Sequence, residues 1–282
     1  MERSWWSLAL QRFRAHRLAV AGLVIFGGLC LAAMAAPLSP YDPNRTSLLQ
    51  RYEPPSLAHP MGTDDLGRDE LTRVLVGGQI SLAVGVLAMV ISLLVGTLIG
   101  ALSGYFGGII DSVLMRFTEL VIAFPQLIVL ILFSALFGGS FWNVVLALGL
   151  LRWVGVARIV RASVLQLREM DYVVAARAIG VPTGRIVFRH VLPNGLGPIV
   201  VAATLGVGSS ILGESTLSFL GLGIQLPTAT WGNMLRAAQN DLSTAPWLAF
   251  FPGLCIFLTI LSVNYVGDGL RDALDPRAVQ RS

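Results

Sequence analysis

Long runs without a charged side chain determine what this chain can fold into. Val74 to Ile110 is a run of 37 uncharged residues, and Leu18 to Tyr41 is a run of 24. A helix needs about 20 apolar residues to cross roughly 30 Å of hydrocarbon, so both runs are long enough to span a membrane. Charged residues make up 13% of the chain, against roughly 25% in an ordinary soluble domain. The sequence therefore predicts an all-α membrane protein and excludes a soluble domain, a collagen and a disordered chain.

Six membrane spans account for the apolar runs. We expect a cytoplasmic segment at 1–17, a first span at 18–38, an external segment at 39–78, and a core of five spans at 79–282. The core spans are placed near 84–102, on either side of a turn at 138–140 within 120–151, at 196–213 and at 247–266. Pro125 should kink the third span, because proline cannot donate a backbone hydrogen bond. A removable signal peptide, with small residues at 32–36, is the alternative to a retained first span.

The distribution of arginine predicts the orientation. All 20 basic residues are arginine, and 15 of them fall in the predicted cytoplasmic segments when the N-terminus is inside. With seven acidic residues on each side, the cytoplasmic segments carry +8 and the external segments −2. This asymmetry follows the positive-inside rule with both termini in the cytoplasm. Since no aromatic-basic motif accompanies the charge, we expect no nucleic-acid partner.

A polar stretch at 59–70 precedes the second span. Thr63 is expected to cap a helix whose first turn carries Asp64 and Asp65. Asp69 and Arg73 would then form an i,i+4 pair on that helix. His59 lies beside these acidic residues in the sequence, but a single histidine without further ligands at metal spacing does not predict a metal site.

Four glycines recur at every fourth position of the second span and beyond: Gly96, Gly100, Gly104 and Gly108. Such a face of small residues allows another helix to approach closely. A packing seam within this chain is the simpler interpretation, and a contact with a second membrane subunit is the alternative.

The longest predicted cytoplasmic loop, at 158–193, contains a candidate docking helix. Asp171 to Gly180 is alanine-rich and ends at a glycine, which predicts a short helix with a smooth surface. Arginines flank it, at Arg168, Arg177, Arg185 and Arg189. A basic helix of this kind suits a groove on a soluble partner. The alternative is a solvated loop held by anionic lipid headgroups.

Polar residues in or beside the spans are candidates for a substrate path: Glu119, Gln126, Glu214 and Asn264. The alternative for each of them is a hydrogen bond between helices. The stretch from Glu214 to Gly223 is rich in glycine and polar residues, so we expect non-helical or bent backbone that lines a cavity. Arg152 should face protein or water rather than lipid. Counted from the turn at 138–140 at about 1.5 Å per residue, Arg152 lies roughly 18 Å deep and Glu119 roughly 30 Å deep, so we expect no direct pair between them.

Motifs for catalysis do not occur in the sequence, so we assign no catalytic residues. A phosphate-binding loop of the form GxxxxGK[ST] requires lysine, and this chain has none. Neither HExxH nor GxSxG occurs. An intramembrane enzyme is therefore disfavoured, while a secondary transporter or channel remains an alternative to an ATP-driven one.

Four segments together resemble the permease subunit of an ATP-binding-cassette importer of the oligopeptide, dipeptide and nickel class. The loop matches the importer pattern of Glu-Ala-Ala, glycine and Leu-Pro at the family's spacing. The matching positions are Val174, Ala175, Ala176, Gly180, His190, Leu192 and Pro193, with Arg177 and Arg185 between them. Val174 replaces the acidic residue of the pattern and His190 replaces an isoleucine. The stretches at 62–69, 217–223 and 267–276 are similar to the second, "C-type" permease of such pairs.

The resemblance implies a multi-pass subunit in a bacterial cytoplasmic (inner) membrane. Its partners would be a second homologous permease, two cytoplasmic ATP-binding subunits and an external substrate-binding protein. ATP and Mg would bind to the partner ATPases, and this chain would hold no cofactor. The implied substrates are dipeptides or oligopeptides, with nickel or another small solute as the alternative.

Overall fold

The computed structural model describes residues 5–274, whose regular structure is helical. The α-helices are α1 (Trp5–Ala15), α2 (Arg17–Met34), α3 (Glu70–Phe106), α4 (Gly108–Ala123), α5 (Gln126–Phe137), α6 (Phe141–Leu167), α7 (Asp171–Ala178), α8 (Thr183–Ile186), α9 (Leu196–Phe219), α10 (Trp231–Ala238) and α11 (Trp247–Leu274). A π-helical turn at Val187–Val191 and a 3₁₀ turn at Pro193–Gly195 connect α8 to α9. Within the described range, β-structure is limited to one isolated bridge, between Thr63 and Asp69.

Five stretches within residues 5–274 are individually long and apolar enough to cross a membrane. They are α2, α3, α6, the run from α8 through α9, and α11. The helices α4 and α5 pass the same test only as a pair, which is bent by 81° at the break between them.

Helices α3 and α6 run in the same direction, which means that the bent pair α4–α5 between them also crosses the membrane. Gly96 of α3 faces Trp153 and Val156 of α6, and Gly104, two turns later, faces Arg161 and Val164. Since two consecutive parallel spans require the chain between them to return, α4 and α5 together form the returning crossing. The predicted all-α fold is confirmed, and the candidate spans number six when the bent pair is counted as one crossing.

The break between α4 and α5 lies at the predicted proline and is sharper than a kink. Phe124 is extended, with φ −87° and ψ 131°, and Pro125 follows with φ −57°. A residue before proline is pushed out of the α region by the proline ring, so α4 ends at Ala123. The helix restarts at Gln126 in a new direction.

The remaining helices place several segments at the same end of the bundle. Ile211 of α9 packs against Gly85 of α3, and Ser262 of α11 packs against Gly22 of α2. Phe13 of α1 lies beside Gly269 near the end of α11. We call the end that carries α7, α8 and residues 187–195 the loop face, and the opposite end, formed by residues 35–69 and 220–246, the lobe. Both α1 and the C-terminal end of α11 lie at the loop face.

The helix that contains the predicted second span extends beyond it. We placed it near 84–102, whereas α3 covers 37 residues, or about 55 Å at roughly 1.5 Å per residue. It begins inside the segment that we placed outside the membrane at 39–78. The helix begins this early because the Asp69 carboxylate accepts a hydrogen bond from the backbone N–H of Thr72 at 2.8 Å.

The predicted helix cap at Thr63 is wrong. The hydroxyl of Thr63 accepts a hydrogen bond from the backbone N–H of Glu53 at 2.8 Å. It therefore connects two segments of the lobe and does not cap a helix. Asp64 caps a turn instead, accepting from the backbone N–H groups of Leu66 and Arg68 at 2.9 Å. Gly67, with φ +71°, ends this turn before α3 begins.

The pairing of the charged side chains in the lobe also differs from the prediction. Arg73 lies 3.5 Å from the carboxylate of Asp64, not in an i,i+4 pair with Asp69. Asp69 instead contacts His59 Nδ1 at 2.8 Å. On the lobe surface, the phenol of Tyr52 donates to the Asp241 carboxylate at 3.0 Å, and this bond raises the pKa of Tyr52. The Tyr52–Asp241 hydrogen bond joins this part of the lobe to the segment before α11.

Candidate functional site

The predicted helix in the long loop is present as α7. Its last turn closes at Gly180, which has φ +78°, and the N–H of Val181 donates to the Ala176 carbonyl at 3.1 Å. Val173 and Ala176 point inward and are buried. They belong to an apolar cluster with Val164 of α6 and with side chains of the 186–191 turn. The inner face of α7 is thus fixed to the bundle.

The outer face of α7 is exposed and carries the matched loop residues. Val174, Ala175 and Arg177 are exposed there, and Gly180 follows them. Farther along the loop, Arg185 and Pro193 are also exposed, whereas His190 and Leu192 are partly buried. Sequence reasoning missed two large apolar side chains on this surface, Ile179 and Phe188, which are 81% and 67% exposed. The sequence gives no signal for them, because apolar residues are common throughout this chain and only the structure shows that these two are exposed.

Two arginines connect the loop to the end of α3. Arg168, at the end of α6, donates from Nη1 to the Gly104 carbonyl oxygen at 2.9 Å. The guanidinium of Arg177 lies over the ring of Tyr105, 5.7 Å from its centroid. A displacement of α7 would therefore act on α3 and α6 together.

A bidentate ion pair fastens the start of α4 to the same end of α6. The Asp111 carboxylate accepts from Arg161 Nε at 2.5 Å and from Nη2 at 2.6 Å, and it also accepts from the Ser103 hydroxyl. Neither residue of this pair was singled out from the sequence, because Asp111 and Arg161 are 50 positions apart.

A cavity of about 740 Å³ lies between the α4–α5 break, α6 and α9. Phe124, Pro125 and Gln126 form one wall, and Leu205 and Gly206 of α9 form another. Arg152 of α6 lines the cavity. It therefore faces this space and α9, which agrees with the expectation that it faces protein or water rather than lipid. The break at Pro125 opens this space, because a continuous helix would carry α5 in another direction.

Arg152 is held by a single residue of α9. Its Nη1 donates to the Ser209 hydroxyl at 2.8 Å and its Nη2 to the Ser209 carbonyl oxygen at 2.6 Å. Its Nε is buried and has no hydrogen-bond partner among the described residues. Glu119 instead pairs with Arg116 at 2.9 Å, so Arg152 and Glu119 do not pair, as expected.

The four candidate pathway residues are not brought together. Gln126 lines the cavity. Glu119 lies in an exposed ion pair on α4, and Asn264 is exposed on α11. Glu214 is fully buried, away from the cavity lining. Of the four, only Gln126 is placed where a substrate in this cavity could reach it.

The expectation of non-helical backbone from Glu214 onward is wrong for its first half. Helix α9 continues to Phe219. It does so because the buried carboxylate accepts hydrogen bonds from the hydroxyls of Ser218 at 2.7 Å, Ser81 at 3.3 Å and Ser215 at 3.4 Å. The chain leaves the helix only after Leu220, at Gly221 with φ +81°.

The structure places three of the four regularly spaced glycines against α6. A Cβ added to Gly96 would lie 2.6 Å from the Trp153 carbonyl oxygen, and Gly100 and Gly104 are similarly close to α6. Gly108 does not belong to this seam. It starts α4 with φ +53°, and an added Cβ would meet no atom within 4 Å.

Comparisons with known proteins identify the class of this bundle. The family model of the binding-protein-dependent transport system inner membrane component matches residues 96–280. The chain belongs to this family. A second model, the N-terminal TM domain of oligopeptide transport permease C, matches residues 4–55. The chain is therefore a multi-pass inner-membrane permease subunit of an ABC transport system, which implies an ATPase and a binding protein as its partners.

Relatives of this permease cover nearly its whole length. It is 43% identical to the oligopeptide transport system permease protein OppC of Bacillus subtilis, over 97% of this chain and 90% of the relative. It is 46% identical to the dipeptide transport system permease protein DppC of the same organism, over 95% and 85%. Identity to the OppC protein of Escherichia coli K12 is 46%, over 98% and 92%. The expected resemblance to C-type permeases is confirmed.

Solved structures agree with the fold. The MetNI methionine ABC transporter in an inward-facing conformation superposes on the permease with a TM-score of 0.55 at 19% identity, over 72% of this chain and 96% of that one. An amino acid ABC transporter gives 0.54 at 20% identity, over 71% and 92%. The last residues of the segment resembling C-type permeases, Asp275 and Pro276, lie outside the described residues.

Proposed function

We propose that this permease carries dipeptides or longer peptides across the inner membrane after an external binding protein delivers them. The names of the relatives, which specify oligopeptide or dipeptide transport, support this substrate class. The cavity is consistent with it, because about 740 Å³ accommodates a small peptide and the lining is mostly apolar. Selectivity would then lie chiefly in the binding protein.

In the proposed assembly, a second homologous permease completes the pathway and two cytoplasmic ATPase subunits bind ATP and Mg. The loop face and both termini would be cytoplasmic. Exposed apolar side chains on α4 and α5, among them Ile109, Leu120 and Leu136, leave a broad surface for lipid or for the second permease. The arginine excess of the loop-face segments supports this orientation.

The observation that carries the proposal is the attachment of α7 to the bundle. Its outer face is exposed for a partner, while its inner face packs against α6 and Arg177 contacts the end of α3. Closure of the ATPase pair would displace α7 and, with it, α3 and α6. Because α6 also lines the cavity, this movement would alternate access between the two sides of the membrane.

Uptake by proteoliposomes tests the substrate. The complete transporter is reconstituted with internal ATP and supplied with its binding protein, and labelled dipeptide, labelled tetrapeptide and radioactive nickel are compared. We expect accumulation of peptide and none of nickel above the level of empty liposomes. Accumulation of nickel without peptide would contradict the proposed substrate class.

A further inference from the structure

Arg152 is a partly buried cation whose charge is not neutralised by the described residues. Its two hydrogen bonds both go to Ser209, a neutral residue. The two carboxylates of α4 are engaged elsewhere, Asp111 with Arg161 and Glu119 with Arg116. An arginine in the middle of a span is costly to insert and is retained where it faces a partner or a water-filled space.

The position of Arg152 directs it toward the cavity. Among the described residues, the cavity lining contains two arginines, Arg152 and Arg158, and no acidic residue. Gly213 leaves room for the guanidinium, because a Cβ at that position would lie 3.2 Å from Nη2. The guanidinium has five N–H groups, and Ser209 accepts from one on each terminal nitrogen. Further N–H groups on the same nitrogens remain for a ligand in the cavity.

We propose that Arg152 binds the C-terminal carboxylate of a peptide as it passes through the cavity. A guanidinium binds a carboxylate through paired N–H donors, and the Ser209 contacts hold it in one orientation for that purpose. Every linear unmodified peptide has this carboxylate whatever its side chains, so one contact serves a sequence-tolerant pathway. The inference rests on the proposed peptide substrate and adds a carboxylate subsite to it.

The test compares import of a labelled tripeptide with that of its C-terminal amide, using the complete transporter in proteoliposomes. Each peptide is used at a concentration that saturates the isolated binding protein, which contains none of the substitutions. The variants are Arg152→Gln, which removes the charge, and Arg152→Lys, which keeps it. The control is Arg116→Gln, an arginine of α4 that is absent from the cavity lining.

We expect wild type to import the free acid faster than the amide, on the order of tenfold, since hydrogen bonds to charged groups are stronger than neutral ones. Arg152→Gln should lower import of the acid to the rate of the amide, while Arg152→Lys and Arg116→Gln keep the preference. Equal slowing of both peptides in Arg152→Gln, or an unchanged ratio, would overturn the inference and leave the proposed function standing. If wild type imported neither peptide, the proposed function would fail, and the inference with it.

Discussion

Glu214 shows at the scale of one residue how a polar side chain is accommodated in an apolar bundle. Its carboxylate is fully buried and accepts from three serine hydroxyls, one of them on α3. The same Ser81 oxygen accepts from the backbone N–H of Trp231, which begins α10. The residue that we predicted to lie on a substrate path therefore connects α3 and α9 close to the start of α10.

Replacing Glu214 by alanine should destabilise the protein without acting on the cavity. The change leaves buried hydroxyls without their acceptor, at a cost of about 1–3 kcal/mol. Thermal unfolding of the purified complex in detergent measures it as a lower apparent melting temperature. The control is Thr216→Val on the same helix, because the Thr216 hydroxyl bonds only to the Leu212 carbonyl of its own helix among the described residues. Equal effects of the two substitutions would show that the Glu214 hydrogen bonds do not stabilise the bundle.

The seam between α3 and α6 is the close helix contact that the glycine spacing predicts. Gly96, Gly100 and Gly104 bring the two helices close enough for the backbone of α6 to touch the face of α3. Further along the same pair, Ser92 donates to the Gly149 carbonyl at 2.9 Å. These contacts make α3 and α6 one unit, and the cavity and α7 both depend on its position.

Adding one methyl group to this seam should lower the stability of the protein, whereas adding one at an open position of α2 should not. Gly96→Ala places a Cβ 2.6 Å from both the Trp153 carbonyl oxygen and the Val156 Cβ, and such overpacking costs about 1–3 kcal/mol. Gly28→Ala in α2 meets no atom within 4 Å, so the helix gains up to about 1 kcal/mol. Apparent melting temperatures should shift in opposite directions. A destabilised Gly28→Ala, or a neutral Gly96→Ala, would contradict this packing.

The outer face of α7 is predicted to hold the ATPase subunits. Ala175→Trp enlarges an exposed alanine on this face, so we expect the ATPases to be lost from the purified complex. Ala237→Trp makes the same change at an exposed alanine of α10, a helix of equal length in the lobe. Affinity purification through the permease, followed by quantification of the ATPase bands, compares the two variants. Retention of the ATPases in Ala175→Trp would remove α7 as their docking site.

At the scale of the whole molecule, features that depend on local sequence were predictable, and features that depend on distant contacts were not. The spans follow from the length of the apolar runs, and the break at Pro125 follows from the chemistry of proline. The cap at Thr63 failed because that hydroxyl bonds to Glu53 rather than to the following residues. Glu214 was misplaced because Ser81, which accounts for its burial in α9, is 133 residues away.

The cavity was likewise not predictable as a unit. Gln126 and Arg152 were each noticed in the sequence, but only the bend between α4 and α5 puts them in one space with α9. The loop surface was predicted better, because α7 is local and its glycine stop is encoded nearby. The contacts that attach the loop to α3 could be seen only in the folded bundle. They are the hydrogen bond from Arg168 to the Gly104 carbonyl and the packing of Arg177 on Tyr105.

In the proposed assembly, this permease is a passive membrane component, and ATP hydrolysis on separate subunits drives transport. The most direct measurement is peptide uptake by proteoliposomes holding the complete transporter, energised either with internal ATP or with an imposed ion gradient alone. We expect uptake with ATP, and none with the gradient or with a non-hydrolysable ATP analogue. Uptake that persisted on the gradient without ATP would contradict ATP-driven transport and indicate a secondary transporter.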